Sequence, residues 1–230
     1  MTKLTRLLRH EARQVAVLAS LIFATVLCVL LLCVRIVYAD SLAHIGLLWN
    51  LFLAWLPMLA ALIVYNLRKR DATRAWALIV PCAFLWLLFF PNAPYILTDI
   101  LRLQAHVGVP LWYDLILLIA FAWTGTFLGL VSLYLMHTLV RRAAGSAAGW
   151  VFTLGVLALT GFGVYLGRFP RWNSWDLLHH PRAVLTDTLQ PFFQPGAFLP
   201  VLGVIGFIFM FQACVYLCFR QMLRLPHETI

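Results

Sequence analysis

The polar chemistry of this 230-residue chain is concentrated in two short stretches. Motif 1 is Pro91-Asn-Ala-Pro-Tyr-Ile-Leu-Thr-Asp99, and motif 2 is Gly167-Arg-Phe-Pro-Arg-Trp-Asn-Ser-Trp-Asp176. Arginine binds phosphate or carboxylate through two parallel N–H bonds, and tryptophan stacks well against a guanidinium. Motif 2 combines both residue types with an amide, a hydroxyl and a carboxylate, which is more than anchoring at a membrane interface requires. We therefore expect a functional site in these two motifs.

The side chains that we expect to bind a ligand are cationic, amide or aromatic. They are Asn92, Tyr95, Arg168, Arg171, Trp172, Asn173 and Trp175. In this hypothesis the arginines contact an anion and the aromatic residues wall the pocket. Because Asn92 is a good N-cap that follows a proline, the chain is predicted to break at Pro91-Asn92 and to restart as a helix near 93–104. The first N–H groups of that helix would then face the anion.

Three carboxylates are the candidate general bases if the site is catalytic, namely Asp99, Asp114 and Asp176. Asp114 stands at the outer start of an apolar span, where an unpaired charge is costly, and Arg168 or Arg171 is its predicted partner. Asp99 is predicted to share one helical stripe, the wall of the site, with Tyr95 and Arg102. The alternative is purely structural: two interfacial helices, of which the second runs through Asp176 to His180, is capped by Asn173 or Ser174 and ends at Pro181. No known catalytic fingerprint is present in the sequence, so its enzymatic status is left open.

Composition determines the class of protein that carries these motifs. The chain is 63% hydrophobic and 11% charged, with a mean hydropathy of +0.93. Apolar runs long enough to cross a bilayer as helices occur six times, at roughly 15–34, 46–66, 75–90, 113–138, 150–167 and 197–219. We expect a single all-α integral membrane domain over residues 1–230. The long outer loops 91–112 and 168–196 are predicted to form short interfacial helices.

The net charge of +9 indicates topology rather than nucleic-acid binding. If the segments between six spans alternate between two sides, one side carries twelve Lys and Arg against three acidic residues. The other side, which holds both motifs, carries five of each. The positive-inside rule places the basic side, with its basic N-terminal segment 1–14, in the cytoplasm of a bacterial inner membrane. Both termini are then cytoplasmic, the motifs face outward, and no nucleic-acid partner is expected.

Two further patterns concern metal binding and oligomers. The five cysteines all lie in apolar spans, and adjacent His179 and His180 do not share a helix face, so neither a metal site nor a cofactor is expected. The pairs Gly125/Gly129 and Gly163/Gly167 each have GxxxG spacing, which permits close helix packing in lipid. We expect spans four and five to pack tightly against each other or against a third helix; a homodimer through the same faces is the alternative.

Three runs of sequence carry a resemblance to a known family: 89–99, 112–114 (Trp-Tyr-Asp) and 167–176. They resemble the domain of unknown function 1361 family, a group of bacterial multi-pass membrane proteins. The resemblance extends from about the second span to the sixth. It implies the membrane class and the importance of the motif positions, and it supplies no substrate.

Three functions are consistent with these patterns. The first is binding or processing of an anionic lipid head group or a lipid-linked precursor in a pocket built by the two motifs, with membrane lipids as partners. The second is a structural or assembly protein whose motifs only lock the outer loops through Arg–Asp pairs. The third is a small permease, which requires a polar path across the bilayer.

Overall fold

The computed structural model describes residues 3–69, 76–104, 108–194, 196 and 198–223. Helices account for most of these residues, and no strand occurs among them. In chain order the helices are α1 (Lys3–Ala39), α2 (Gly46–Lys69), α3 (Trp76–Phe89), α4 (Asn92–Tyr95), a 3₁₀ helix (Ile96–Arg102), α5 (Leu111–Arg168), α6 (Asp176–His179), α7 (Pro181–Phe193) and α8 (Phe198–Met222). The all-α prediction, with short helices in both outer loops, is confirmed.

Five helical segments within the described ranges are long and apolar enough to cross a membrane. The longest is α5 with 58 residues, far more than the ~20 that a bilayer core requires. Its backbone leaves helical geometry at Gly145, with φ 90° and ψ 173°, a region that essentially only glycine adopts. His137 Nδ1 lies 2.7 Å from Thr153 Oγ1 across this point, so the two arms of α5 fold back on each other. The arms correspond to the predicted spans 113–138 and 150–167.

Helix α5 forms the centre of the structure and packs against α1, α2 and α8. Much of the N-terminal arm is buried, including Leu117, Phe121, Leu128 and Leu133. The outward faces of α1 and α8 instead expose large apolar side chains. That arrangement suits a hydrocarbon solvent, in which helices associate by close packing rather than by hiding apolar surface.

Both glycine pairs of α5 contact motif 1. A Cβ atom built on Gly125 would lie 2.7 Å from the Ala93 carbonyl oxygen, and one on Gly163 would lie 2.7 Å from Pro91 Cγ. The second glycine of each pair faces the same segment. Motif 1 is therefore wedged between the two arms of α5, which confirms the prediction of close packing against a third helix. These glycine faces are occupied within the chain, and the homodimer stays a prediction.

The start of motif 1 differs from the prediction. Pro91 occupies the N-cap position with helical φ −60° and ψ −23°, and no side chain caps the helix. The Ala93 N–H donates to Phe90 O (3.2 Å) and the Tyr95 N–H to Pro91 O (3.1 Å). Asn92 is thus the first helical residue rather than the N-cap, and the expected anion-facing N–H groups of Ala93 and Tyr95 are used within the chain. The predicted helix 93–104 is instead α4 followed by the 3₁₀ helix.

Motif 2 is followed by two helices where the sequence predicted one. Asp176 begins the four-residue α6, as expected, and Pro181 begins α7 rather than only ending α6. Proline is favourable in a first helical turn because its missing N–H has no intrahelical partner there. Asp176 Oδ2 accepts the Asn173 backbone N–H at 2.7 Å, so the carboxylate caps the turn and the Asn173 side chain does not.

Candidate functional site

The two motifs contact each other at one end of the helices. Asn92 Nδ2 donates to Ser174 Oγ at 2.9 Å and to Phe89 O at 2.9 Å. The Tyr95 hydroxyl donates to the Gly167 carbonyl oxygen at 3.4 Å. A pocket built by the two motifs requires such contacts, although the motifs are separated by more than 65 residues of α5 and its flanks. We call this end of the molecule the motif end.

A groove of about 320 Å³ lies where the motifs meet α2, α3 and the C-terminal arm of α5. Its polar wall is formed by Asn50, Asn92, Tyr95, Trp172, Asn173 and Ser174. Its apolar wall includes Leu53, Phe84, Leu87, Leu159, Phe162 and Leu166. Ligand pockets in proteins commonly have ≈ 300–1,000 Å³ and combine an apolar lining with a few placed polar groups, so this groove has the size and the composition of a ligand site.

Part of the apolar lining of the groove faces outward from the helix bundle. Phe84 is 53% exposed and Leu159 is 58% exposed, although both lie in helices long and apolar enough to span a membrane. In a bilayer such side chains contact lipid tails. The lining of the groove therefore includes side chains that would face hydrocarbon, together with amide and hydroxyl groups.

Four of the seven expected ligand residues line the groove: Asn92, Tyr95, Trp172 and Asn173. The other three lie beside it. Arg168 Nη1 is 3.5 Å from Asp99 Oδ1, and the Trp175 ring packs edge-on against Trp49, with centroids 6.1 Å apart. Trp49 itself lines the groove, so Trp175 packs against a lining residue. The role of all seven residues in ligand binding stays a prediction.

Arg171 is the third of these residues and differs from Arg168 in its surroundings. Its side chain is exposed, and within the described part of the chain it forms no hydrogen bond or ion pair. Its backbone has φ 65°, which is uncommon for a residue other than glycine. The next residue, Trp172, lines the groove. Arg171 is therefore an exposed cation next in the chain to a lining residue of the groove.

Asp114 pairs with Arg35, so the predicted pairing with Arg168 or Arg171 is wrong. Arg35 Nε lies 3.1 Å from Asp114 Oδ1, and Arg35 Nη2 donates to Oδ2 at 3.3 Å. His44 Nε2 lies 3.4 Å from the same Oδ2, and two backbone carbonyls of the loop after α1 accept from Arg35 Nη1. Both charged side chains are 1% exposed. The C-terminal end of α1 therefore lies beside the start of α5, and Arg35 of α1 is the cation that neutralises Asp114.

Asp99 is also buried and paired. It is 2% exposed, and its Oδ2 accepts from Asn50 Nδ2 at 2.7 Å while Oδ1 faces Arg168. Asn50 is not among the predicted site residues, because its only sequence signal is a lone amide within an apolar span. The Arg102 side chain, the predicted third member of the stripe, lies outside the described residues. None of the three candidate bases, Asp99, Asp114 and Asp176, lines the groove.

A further contact that the sequence did not predict fixes motif 2 to α7. Trp172 Nε1 donates to Asp187 Oδ2 at 3.0 Å. The indole therefore presents its ring to the groove and its N–H to α7. Asp187 is not among the residues that the sequence pattern pointed to.

The fold and the site define an all-α polytopic membrane protein with a groove at one end of its helices. The chain belongs to the family described as protein of unknown function (DUF1361), whose model matches residues 49–217. That range contains both motifs, Asp114 and every lining residue of the groove, so the family resemblance seen in the sequence is confirmed. No curated protein and no solved structure matches the chain.

Proposed function

We propose that the groove binds a membrane amphiphile. The observation that carries this proposal is a single lining that combines amide, hydroxyl and aromatic groups of the motif end with apolar side chains exposed on the outside of the helices. Asn92 uses both of its Nδ2 hydrogens within the chain, whereas Asn50 and Asn173 each use one. A head group would accept the second Nδ2 hydrogen of Asn50 and of Asn173, and a hydrocarbon chain would lie along Phe84 and Leu159. Entry from the bilayer would then require no exposure of the chain to water, whose cost is ≈ 0.8 kcal/mol per CH₂ group.

The charge next to the groove favours an anionic head group over a neutral one. Arg171 is exposed beside the lining residue Trp172, and a guanidinium can bind a phosphate through two parallel N–H bonds. A phospholipid head group or a lipid-linked precursor carries such a phosphate. Because no candidate carboxylate lines the groove, the proposal is binding or handling of the amphiphile, and it names no catalytic base.

A groove-filling variant tests the proposal. The protein would be extracted with its surrounding lipid into polymer-bound native discs, and the retained amphiphiles would be quantified by mass spectrometry after transfer to detergent. We expect the wild type to retain a specific amphiphile and Leu159→Trp to retain roughly tenfold less, equivalent to about 1.4 kcal/mol. Arg171→Gln should lower the retention of anionic amphiphiles selectively.

Leu154→Trp is the matched control for Leu159→Trp. Leu154 lies one to two turns away on the same arm of α5 and is also exposed, at 43%, but it does not line the groove. It should retain the amphiphile as the wild type does. A wild type that retains no amphiphile, or equal losses in the two tryptophan variants, would contradict the proposal.

A structural role for the motifs is the second candidate, and specific contacts favour it. Asp99 with Asn50 and Arg168, Asn92 with Ser174, and Trp172 with Asp187 all satisfy each other within the chain. An empty groove in a well-folded wild type would favour this locking role. The permease has weaker support, because the groove shares no lining residue with the 140 Å³ cavity at the opposite, basic end.

A further inference from the structure

A small cavity lies between motif 1, both arms of α5 and α8. Its volume is about 50 Å³, and it shares no lining residue with the groove. The lining is mostly apolar, and its side chains with hydrogen-bonding groups are Thr98, Thr126 and Gln212. These three residues belong to three elements, namely the 3₁₀ helix, the N-terminal arm of α5 and α8. We call this space the internal cavity.

Gln212 brings an unused amide to the internal cavity. The residue is only 8% exposed, and its buried Nε2 forms no hydrogen bond within the described part of the chain. Two N–H donors without an acceptor are costly at this place, because lipid and apolar side chains cannot replace the hydrogen bonds that bulk water would make. An acceptor for this amide must therefore lie in the internal cavity that Gln212 lines.

The depth of Gln212 excludes a lipid head group as this acceptor. At 1.5 Å per residue, Gln212 lies roughly 20 Å from Phe198 and roughly 15 Å from Met222 along α8. The hydrocarbon core of a bilayer is about 30 Å thick, so the amide lies near its middle. The ester and phosphate oxygens of lipids stay at the two boundaries of that core, out of reach of Gln212.

The other polar groups of the lining are complementary to a water molecule. Thr98 Oγ1 donates to Tyr95 O at 2.6 Å, and Thr126 Oγ1 donates to Ala122 O at 2.7 Å. Each hydroxyl uses its only hydrogen in this way, and its oxygen can still accept. Water accepts from an amide and donates to a hydroxyl oxygen. Because water does both, it satisfies the Gln212 amide in either of its two orientations.

We propose that the internal cavity binds water that joins Gln212 of α8 to the threonines of motif 1 and α5. A water occupies roughly 30 Å³ in the liquid and needs two to four polar partners, so the cavity admits about one or two. The bound water holds α8 against motif 1 through hydrogen bonds. This site is independent of amphiphile binding, because none of its lining residues lines the groove.

X-ray hydroxyl-radical footprinting of the full chain in dodecyl maltoside tests the proposal. Irradiation converts bound water into hydroxyl radicals, which oxidise the nearest side chains, and mass spectrometry gives the oxidation rate of each residue. Phe90 lines the internal cavity and is 2% exposed, whereas Phe121 is 0% exposed and lines neither this cavity nor the groove. We expect Phe90 to be oxidised several times faster than Phe121. Equal rates in the wild type would overturn the proposal.

Two variants and a control connect the oxidation of Phe90 to the polar groups of the lining. Gln212→Met keeps an unbranched side chain of similar size without the amide, so the Phe90 rate should fall to about that of Phe121. Thr98→Val removes one acceptor and should lower the Phe90 rate in part. Gln190→Met is the matched control, because Gln190 is exposed on α7 and does not line the internal cavity; the rate should not change.

Each variant is compared after it elutes as a monodisperse protein. If Gln212→Met does not, Thr98→Val decides. A Phe90 rate equal to that of the wild type in the folded variants of the lining, or an equal fall in Gln190→Met, would contradict the proposal.

Discussion

At the scale of single residues, the charges of the motif end are mostly neutralised within the chain. Asp114 and Arg35 form the most buried pair, with three further contacts from His44 and two backbone carbonyls. Removing two charges from water is expensive, so such a pair contributes little net stability over an apolar replacement. The pair matters for stability in another way, because burying either charge without the other is strongly destabilising.

Asp114→Asn should therefore destabilise the protein strongly. The substitution leaves the Arg35 guanidinium buried without its counter-ion, and breaking a buried pair typically costs 3–5 kcal/mol. Because the asparagine amide can keep one hydrogen bond to Arg35, we expect the free energy of unfolding to fall by about 3 kcal/mol. The free energy of unfolding would be measured by titration with a denaturing detergent. The double variant Arg35→Leu with Asp114→Leu should recover most of the loss because it removes both charges together.

Asp40→Asn is the control for this substitution. Asp40 is exposed and has φ 45°, a conformation that asparagine tolerates well. Its effect should lie within about 0.5 kcal/mol, as for most surface substitutions. If D114N and D40N had equal effects, the buried pair would not be present in the folded protein.

From the sequence, it could be predicted that Asp114 needs a cationic partner, but the identity of that partner could not be predicted. A carboxylate at the start of an apolar span must be neutralised, and that much follows from Asp114 alone. Arg35 is 79 residues away, and its selection depends on how the end of α1 meets the start of α5. Asn50 and Asp187 could not be predicted for the same reason, because each forms its contact with a residue that only the tertiary packing brings near.

At the scale of elements, the glycines of α5 explain why motif 1 can sit where it does. The short α4 and the start of the 3₁₀ helix lie against both arms, at distances that leave no room for a side chain at Gly125 or Gly163. Sequence spacing alone predicted close packing, and it could not identify the partner because any helix backbone fits a GxxxG face. The N-cap prediction at Asn92 failed for a related reason: Pro91 already has helical geometry, and the Phe90 carbonyl takes the Ala93 N–H.

Gly125→Ala tests this wedge. The added Cβ would lie 2.7 Å from the Ala93 carbonyl oxygen and 2.8 Å from Ile96 Cδ1, so motif 1 must move away from α5. Overpacking of this kind typically costs 1–3 kcal/mol, and the displaced motif should also weaken retention of any amphiphile in the groove. Both effects would be measured with the unfolding titration and the lipid quantification described above.

Gly155→Ala provides the comparison within the same helix. Nothing lies within 4 Å of a Cβ at Gly155, and alanine is favoured over glycine in a helix interior by up to about 1 kcal/mol. This variant should therefore be as stable as the wild type or more stable. Equal destabilisation by the two alanines would show that helix geometry, rather than contact with motif 1, decides the outcome at Gly125.

At the scale of the whole molecule, the two ends of the bundle have different electrostatic character. The motif end holds paired charges, such as Asp99 with Arg168, and a groove of mostly neutral groups. The opposite end holds Arg68, Arg141, Arg142 and Arg220 around two cavities. The charge count along the sequence predicted this separation before any contact was known, because connections between consecutive spans must alternate between the two ends. It could not predict the cavities, which depend on how α5 folds back at Gly145.

This separation predicts a membrane orientation, which cysteine labelling can test. In a variant whose five native cysteines are replaced by alanine, Gln194→Cys marks the motif end and Ser146→Cys marks the basic end; both positions are exposed. The positive-inside rule predicts that the basic end is cytoplasmic. A membrane-impermeant maleimide should therefore label Gln194→Cys in intact cells and Ser146→Cys only after permeabilisation. The reverse pattern would place the groove on the cytoplasmic side, and its amphiphile would then come from the inner leaflet.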